Sequence, residues 1–248
     1  MTGPLHNRRA VVTGGSRGIG AAIVRRLARD GANVAFTYVN SADRAAATAD
    51  AARACGVQAL AIRADAADAD AVAAAVERTC DAFGGIDILV NNAGVGLMAP
   101  VDEFSLADFD QTVAVNLRAA FVASQAAARR MASGGRIVMI GSCNAERMPF
   151  FGGAVYAMSK AGLVGLTKGL ARDLGGRGIT VNNVQPGPID TDMNPADTDF
   201  AASIREQVLA LPRYGTGDEV AAMVAYLCGP EAGFVTGASF TIDGGFTA

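Results

Sequence analysis

Short β-branched runs alternate with helical stretches about six times along this chain, and that alternation limits its fold more than any other feature. Apolar or alternating runs at 10–13, 33–39, 57–62, 86–90, 136–141 and 179–184 have the composition of strands. Between them, 18–30, 42–55, 68–83, 105–132 and 153–174 carry apolar residues at helical spacing. Gly31, Gly56, Gly84 and Gly134 stand where four of these stretches should stop. Pro186, Pro188 and Pro195 then break regular structure before helices at 200–211 and 218–227 and a last strand at 239–242. Strands joined by helices of this length form a parallel sheet covered on both faces. The expectation is an α/β fold: one doubly wound parallel sheet in a single domain over 1–248, with a lid at about 190–212.

Composition excludes several chemistries. The one histidine, His6, lies near the start, which leaves no Ser-His-Asp triad and no two-histidine zinc site. Proton transfer near neutral pH therefore needs another group. Lys and Arg number 21 against 24 Asp and Glu, without the basic excess that a sequence-independent nucleic-acid binder needs. The longest uncharged stretch, 88–101, is shorter than the roughly 20 apolar residues of a membrane span and contains two Asn. The opening MTGPLHNRRAVVTGG lacks an apolar signal core, and the four cysteines have no C-x-x-C spacing. These features predict a cytoplasmic protein with reduced thiols, no metal, no nucleic-acid partner and no membrane.

In doubly wound sheets ligands bind beyond the C-terminal ends of the strands. After the first strand stands TGGSRGIG, with Gly14, Gly18 and Gly20 between strand and helix. Such a turn lets backbone approach a pyrophosphate at a helix N-terminus, although the spacing is not G-x-G-x-x-G and a P-loop lysine is missing. The second strand runs out into Tyr38, Asn40 and Ser41 with no acid; the first is Asp43. Arg17 and Arg44 lie nearby. An acid would repel a ribose 2′-phosphate, whereas Arg, Asn and Ser would hold one, so NADP is expected in preference to NAD. Asp65 follows the third strand. Asn91, Asn92, Ala93 and Gly94 follow the fourth. Ser142 and Cys143 follow the fifth, and Tyr156 and Lys160 share a helix face at i and i+4. A lysine ammonium beside a tyrosine, with an oxidised nicotinamide, favours phenolate, so Tyr156 answers the missing histidine.

TGGSRGIG, NNAG, Asn116, Ser142, YAMSK and Pro186-Gly187 stand in the order seen in the short-chain dehydrogenase/reductase family, which the chain resembles from about Arg9 to Phe246. Within that family it is similar to bacterial 3-oxoacyl-carrier-protein reductases. SCNAERMPFFGGAVYAMSK and VQPGPIDTDMNPA are closer still to a subgroup with a cyclic-di-GMP-binding biofilm-dispersal member. The resemblance implies a Rossmann fold and hydride transfer from NADPH to a small carbonyl, with a nucleotide sensor as the alternative. It makes Tyr156 the general acid/base, Lys160 the ribose ligand and Ser142 the carbonyl-orienting hydroxyl. The backbone at Asn116 holds a water that links Lys160 to solvent. Ser16, Arg17 and Ile19 join the phosphate turn, Asp65 takes the adenine, and Asn91, Ala93 and Gly94 border its ribose. Pro186, Gly187, Ile189 and Thr191 pack at the nicotinamide end. Cys143, Met148, Phe150, Phe151 and Met193 are expected as substrate-pocket walls. A homotetramer built on the two long helices is implied as well.

Overall fold

The computed structural model describes residues 3–248. Seven parallel strands form one sheet: β1 (Arg9–Val12), β2 (Asn33–Tyr38), β3 (Ala59–Arg63), β4 (Ile86–Asn91), β5 (Met131–Ile140), β6 (Thr180–Pro186) and β7 (Ser239–Ile242). Their spatial order is β3-β2-β1-β4-β5-β6-β7, so the order reverses between β1 and β4. The helices are α1 (Gly18–Arg29), α2 (Ala42–Arg53), α3 (Ala69–Phe83), α4 (Leu106–Val113), α5 (Ala119–Arg130), α6 (Ala154–Gly175), α7 (Asp199–Gln207) and α8 (Gly217–Cys228).

Alternation along each strand sends side chains into two separate cores. Ala10, Val12, Ile88, Val90, Val138 and Ile140 pack with α1, α2 and α8. Val11, Leu89, Ile137 and Met139 pack with α3, α5 and α6 on the other face. The period-two pleat makes both faces apolar, which is why these strands read as continuous hydrophobic runs. At the N-terminal edge of the sheet, Arg9 grips Asp87 through Nε (2.7 Å), Nη2 (2.9 Å) and its backbone N–H (2.9 Å). Burial alone would raise the Asp87 carboxyl, yet the Arg9 hydrogen bonds hold it below its ordinary value.

Three elements depart from expectation. The stretch expected as one helix over 105–132 contains a π-helical turn, Ala114–Arg118, and ends at Arg130. Met131 is pulled into β5 because it is buried and pairs with Ile86, two residues ahead of the Ile88–Arg136 pairing across a register shift. The helix expected to reach 211 stops at Gln207, because Leu209 turns inward to a third apolar cluster with Ile204, Tyr214 and Phe246. Ser105 caps α4: its hydroxyl accepts from the Asp108 N–H (3.0 Å) and donates to the Asp108 carboxylate (2.7 Å). Among the described residues no helix is long and apolar enough to cross a membrane.

Candidate active site

The topological reversal leaves a crevice where β1 and β4 part, and the glycine turn sits over it. Asn92 and Thr13 pin that turn. Asn92 Nδ2 donates to the Thr13 (2.9 Å) and Gly14 (3.0 Å) carbonyls, while Thr13 Oγ1 accepts from the Asn92 (2.9 Å) and Ala93 (3.0 Å) N–H groups. Gly14 and Gly18 adopt φ of +67° and +52°. A Cβ on Gly20 would lie 2.2 Å from the Gly14 carbonyl oxygen, so the helix can approach the turn only without one. Arg17 caps α1 with extended backbone and no side-chain hydrogen bond, and no acid stands in the first turn. Donors and dipole at this helix end are therefore left for an anion.

One cleft of about 1030 Å³ joins this turn to the tyrosine and lysine. Its lining includes Gly14, Ser16, Arg17, Gly18, Ile19 and Gly20 from the turn, and Tyr38, Asn40, Ser41 and Asp65 beyond β2 and β3. Ala93 and Gly94 follow β4. Ser142, Tyr156 and Lys160 stand beside Pro186, Gly187, Ile189 and Thr191 at the far end. The open glycine turn, the bare helix end and a long cleft ending in a hydroxyl pair fit a dinucleotide cofactor. Asp65 also accepts from the Ala67 N–H (2.9 Å), so its carboxylate shapes the turn it stands on.

Lys160 Nζ donates to the Ile140 carbonyl (3.0 Å) and lies 5.8 Å from the centroid of the Tyr156 ring. Burial pushes the Lys160 ammonium down to about 8. Burial also pushes the Tyr156 hydroxyl above its ordinary value, and the Ser142 hydroxyl works the other way. Taking the phenol out of water disfavours phenolate more than Ser142 favours it, and the expected lowering is one that Lys160 and an oxidised nicotinamide exert together. Ser142 Oγ accepts from the Asn144 N–H (3.1 Å) and donates to Asn144 Oδ1 (3.1 Å). Asn116 stands in the π-helical turn, where its side chain takes the Val95 N–H (2.8 Å) and donates to the Val95 carbonyl (3.0 Å). Gly94 has no side chain to crowd this point; a Cβ there would meet Asn116 Oδ1 and Lys160 Nζ, each at 3.4 Å.

Three expected site residues do not line the cleft: Asn116, which is buried against Val95 and Ser159, Asn91 and Met148. Asn91 turns its amide into the core, donating to Ser124 Oγ (3.1 Å), because it is the last residue of β4 and pleats away from the crevice. Asn92 is the amide that reaches the cleft. Met148 folds under α6, where its sulfur would lie 2.4 Å from a Cβ on Gly153, and it does not line the cleft. Cys143, Phe150, Phe151 and Met193 do line it, the last two exposed at the mouth. The Cys143 thiol is pushed up to about 12 by burial, so it remains protonated. His6 is exposed and outside this cleft.

Sequence reasoning missed much of the apolar wall. Phe150 packs edge-on to Phe200 (5.3 Å between centroids) and against Phe246 (5.9 Å), with Met98, Ile204 and Tyr214 also in the lining. Met98, Phe150, Tyr214 and Phe246 come from separate loops, and only Phe200 and Ile204 share an element, α7. The one available signal was that Phe200 and Ile204 sit at i and i+4 in the expected 200–211 helix. Asp192 was missed too. It receives a hydrogen bond from Arg44 and has Arg17 Nη1 at 3.9 Å.

A family model described as Enoyl-(Acyl carrier protein) reductase matches residues 14–247. The cyclic-di-GMP-binding biofilm dispersal mediator protein of Escherichia coli (strain K12) is 50% identical over 246 residues, covering 99% of this chain and 100% of that one. The 3-oxoacyl-[acyl-carrier-protein] reductase of Staphylococcus aureus is 39% identical over 242 residues, covering 95% of this chain and 96% of its own. Among solved structures, a short-chain dehydrogenase from Burkholderia cenocepacia J2315 in complex with NADP superposes with a TM-score of 0.97 at 56% identity. That match covers 99% of this chain and 100% of the other.

Proposed function

The chain belongs to the short-chain dehydrogenase/reductase family, and on that premise we propose that it reduces a ketone to a secondary alcohol, reversibly, with NADPH. The observation that carries this reading is the convergence of Ser142, Tyr156 and Lys160 at one end of the cleft whose other end is the glycine turn. Bound along that cleft, the cofactor supplies a hydride to the carbonyl carbon. Tyr156 Oη gives its proton to the carbonyl oxygen, and in the reverse direction takes one from the alcohol. The Ser142 hydroxyl hydrogen-bonds the same oxygen and holds it beside Tyr156. Lys160 brings a positive charge near the phenol when protonated, which eases each departure of the tyrosine proton. Arg17 with Asn40 and Ser41 suits the 2′-phosphate, and the NADP complex of the Burkholderia relative supports that preference.

The 190–212 segment, with Phe200 and Ile204, serves as a lid over a small apolar carbonyl substrate. No basic residue stands in the Ala132–Gly135 run before Arg136, which favours a small ketone over a carrier-bound one. Exposed Met158 on α6 and Phe121 on α5 support a homotetramer built on these helices. Light scattering tests the assembly, and a monomer mass would refute it. A panel of ketones and alcohols run with NADPH and NADH in parallel tests the activity; no turnover with any carbonyl defeats it.

The 50% identity to a cyclic-di-GMP-binding protein favours a second reading, nucleotide sensing on the same fold. Calorimetric titration with cyclic-di-GMP, with and without NADPH, separates the two. Absence of heat at high micromolar ligand excludes the sensor.

A further inference from the structure

We propose that Asp192 sets the strength of the preference for the 2′-phosphorylated cofactor, by holding the two arginines that the phosphate would otherwise take. This rests on the cofactor reading above. Arg17 projects from the N-cap of α1 and Arg44 from the first turn of α2, so two separate elements aim their guanidiniums at one place. The group between them is a carboxylate from a third, the loop after β6. Arg44 Nη1 hydrogen-bonds Asp192 Oδ2, and Arg17 Nη1 lies 3.9 Å from the same oxygen. Neither arginine has another acidic partner among the described residues. Arg17 and Asp192 both line the cofactor cleft beside Asn40 and Ser41. The loop is seated on the phosphate turn itself: Thr191 Cγ2 lies 3.4 Å from where a Cβ on Gly18 would stand.

The chemistry of this cluster is that of an exchangeable pair. The side chains of Arg17, Arg44 and Asp192 are each about half exposed, at 55%, 56% and 51%. An ion pair this wet contributes little to stability and yields readily to a stronger anion. The Arg44 hydrogen bond holds the Asp192 carboxyl below its ordinary value, so at neutral pH it is fully charged. A phosphate monoester carries about −1.5 to −2 against the single charge of a carboxylate, and presents three acceptor oxygens. It therefore displaces Asp192, and its binding is weakened by the contacts it must replace. A ribose hydroxyl has no such claim on the arginines and leaves the carboxylate in place. The family's usual discriminator, an acid at the end of β2, is missing here; a carboxylate from the far side of the site acts in the same sense, as a competitor.

The test uses two fragments that lack nicotinamide and differ only in the 2′-phosphate, adenosine 2′,5′-bisphosphate and adenosine 5′-monophosphate, titrated calorimetrically into the wild type, Asp192→Asn and Asp197→Asn. Asp197 is an exposed acid of the same segment that touches neither arginine, and it controls for the loss of one charge. The ratio of the two affinities is expected to favour the bisphosphate in the wild type. In Asp192→Asn it should rise by about three- to fivefold, and in Asp197→Asn it should stay unchanged. An unchanged or lower ratio in Asp192→Asn overturns the proposal while leaving the NADPH preference standing; a lower one would mean that Asp192 aims the arginines at the phosphate. No preference for the bisphosphate in either the wild type or Asp192→Asn overturns the cofactor reading and this proposal together.

Discussion

Asn116 Nδ2 donates to Ser159 Oγ across 2.9 Å, joining the π-helical turn to the helix that carries Tyr156 and Lys160. The same amide also fixes the backbone at Val95, so one buried side chain ties three segments of the cleft. π-Turns inside helices recur at functional sites, and this one carries Asn116 buried with its amide on Val95 and Ser159. Asn116→Ala leaves buried partners unsatisfied. It should cost about 1–3 kcal/mol in denaturant unfolding and lower turnover by loosening the Tyr156 helix. Unchanged stability would show that water replaces the amide.

Tyr156→Phe removes the proton donor and little else, since the ring remains to fill its place. Turnover of the best ketone in the panel should fall by about 10²- to 10⁴-fold, while NADPH binding, followed by nicotinamide fluorescence, persists. A variant that stays active would place the proton transfer on another group.

The depressed Lys160 value has a stability consequence whose sign is fixed. From its ordinary value of 10.5 down to about 8, the unfolded chain keeps a proton that the folded chain has released. Stability therefore rises with pH across that window, and the burial cost is present in full below it. Lys160→Met abolishes this term. The stability advantage of the methionine variant should be largest near neutral pH and shrink by up to about 3 kcal/mol as pH climbs to the lysine's ordinary range. A constant difference across the window would mean that Lys160 titrates normally.

Asp87 has the same sign of pH dependence in an acidic window, but there the lowered value reflects a favoured charge rather than a penalised one. Its carboxyl is held low in the folded chain, so its contribution is complete above its ordinary value of 3.8 and fades as pH falls below it. Asp87→Asn breaks a forked pair that leaves Arg9 partly buried, and should destabilise by about 2 kcal/mol at neutral pH. Urea unfolding of the two proteins should converge in acid.

The strands and the order of the site were legible because both rest on local chemistry. All seven strands have β-branched or apolar runs, and each cleft segment follows one of them. Glycines mark the turn because only they tolerate the backbone at Gly14 and Gly18. What escaped depended on how distant segments meet. Asn91 and Asn92 look alike in sequence, but the pleat of β4 sends one to the core and the other to the cleft. Phe150, Phe200 and Phe246 form one aromatic wall although about 50 residues separate each from the next along the chain. The pairing of Asp192 with Arg44 spans 148 positions, a distance over which no periodicity speaks.

The phosphate turn offers backbone rather than side chains, and this inverts the logic of a mutational scan. Alanine substitution ordinarily asks what is lost when atoms are taken away. At Gly20 it asks what happens when one carbon is put into a space that closes to 2.2 Å against the Gly14 carbonyl. A map of sensitivity made by truncating side chains would pass over the cradle, because its working parts are the places where the chain carries least.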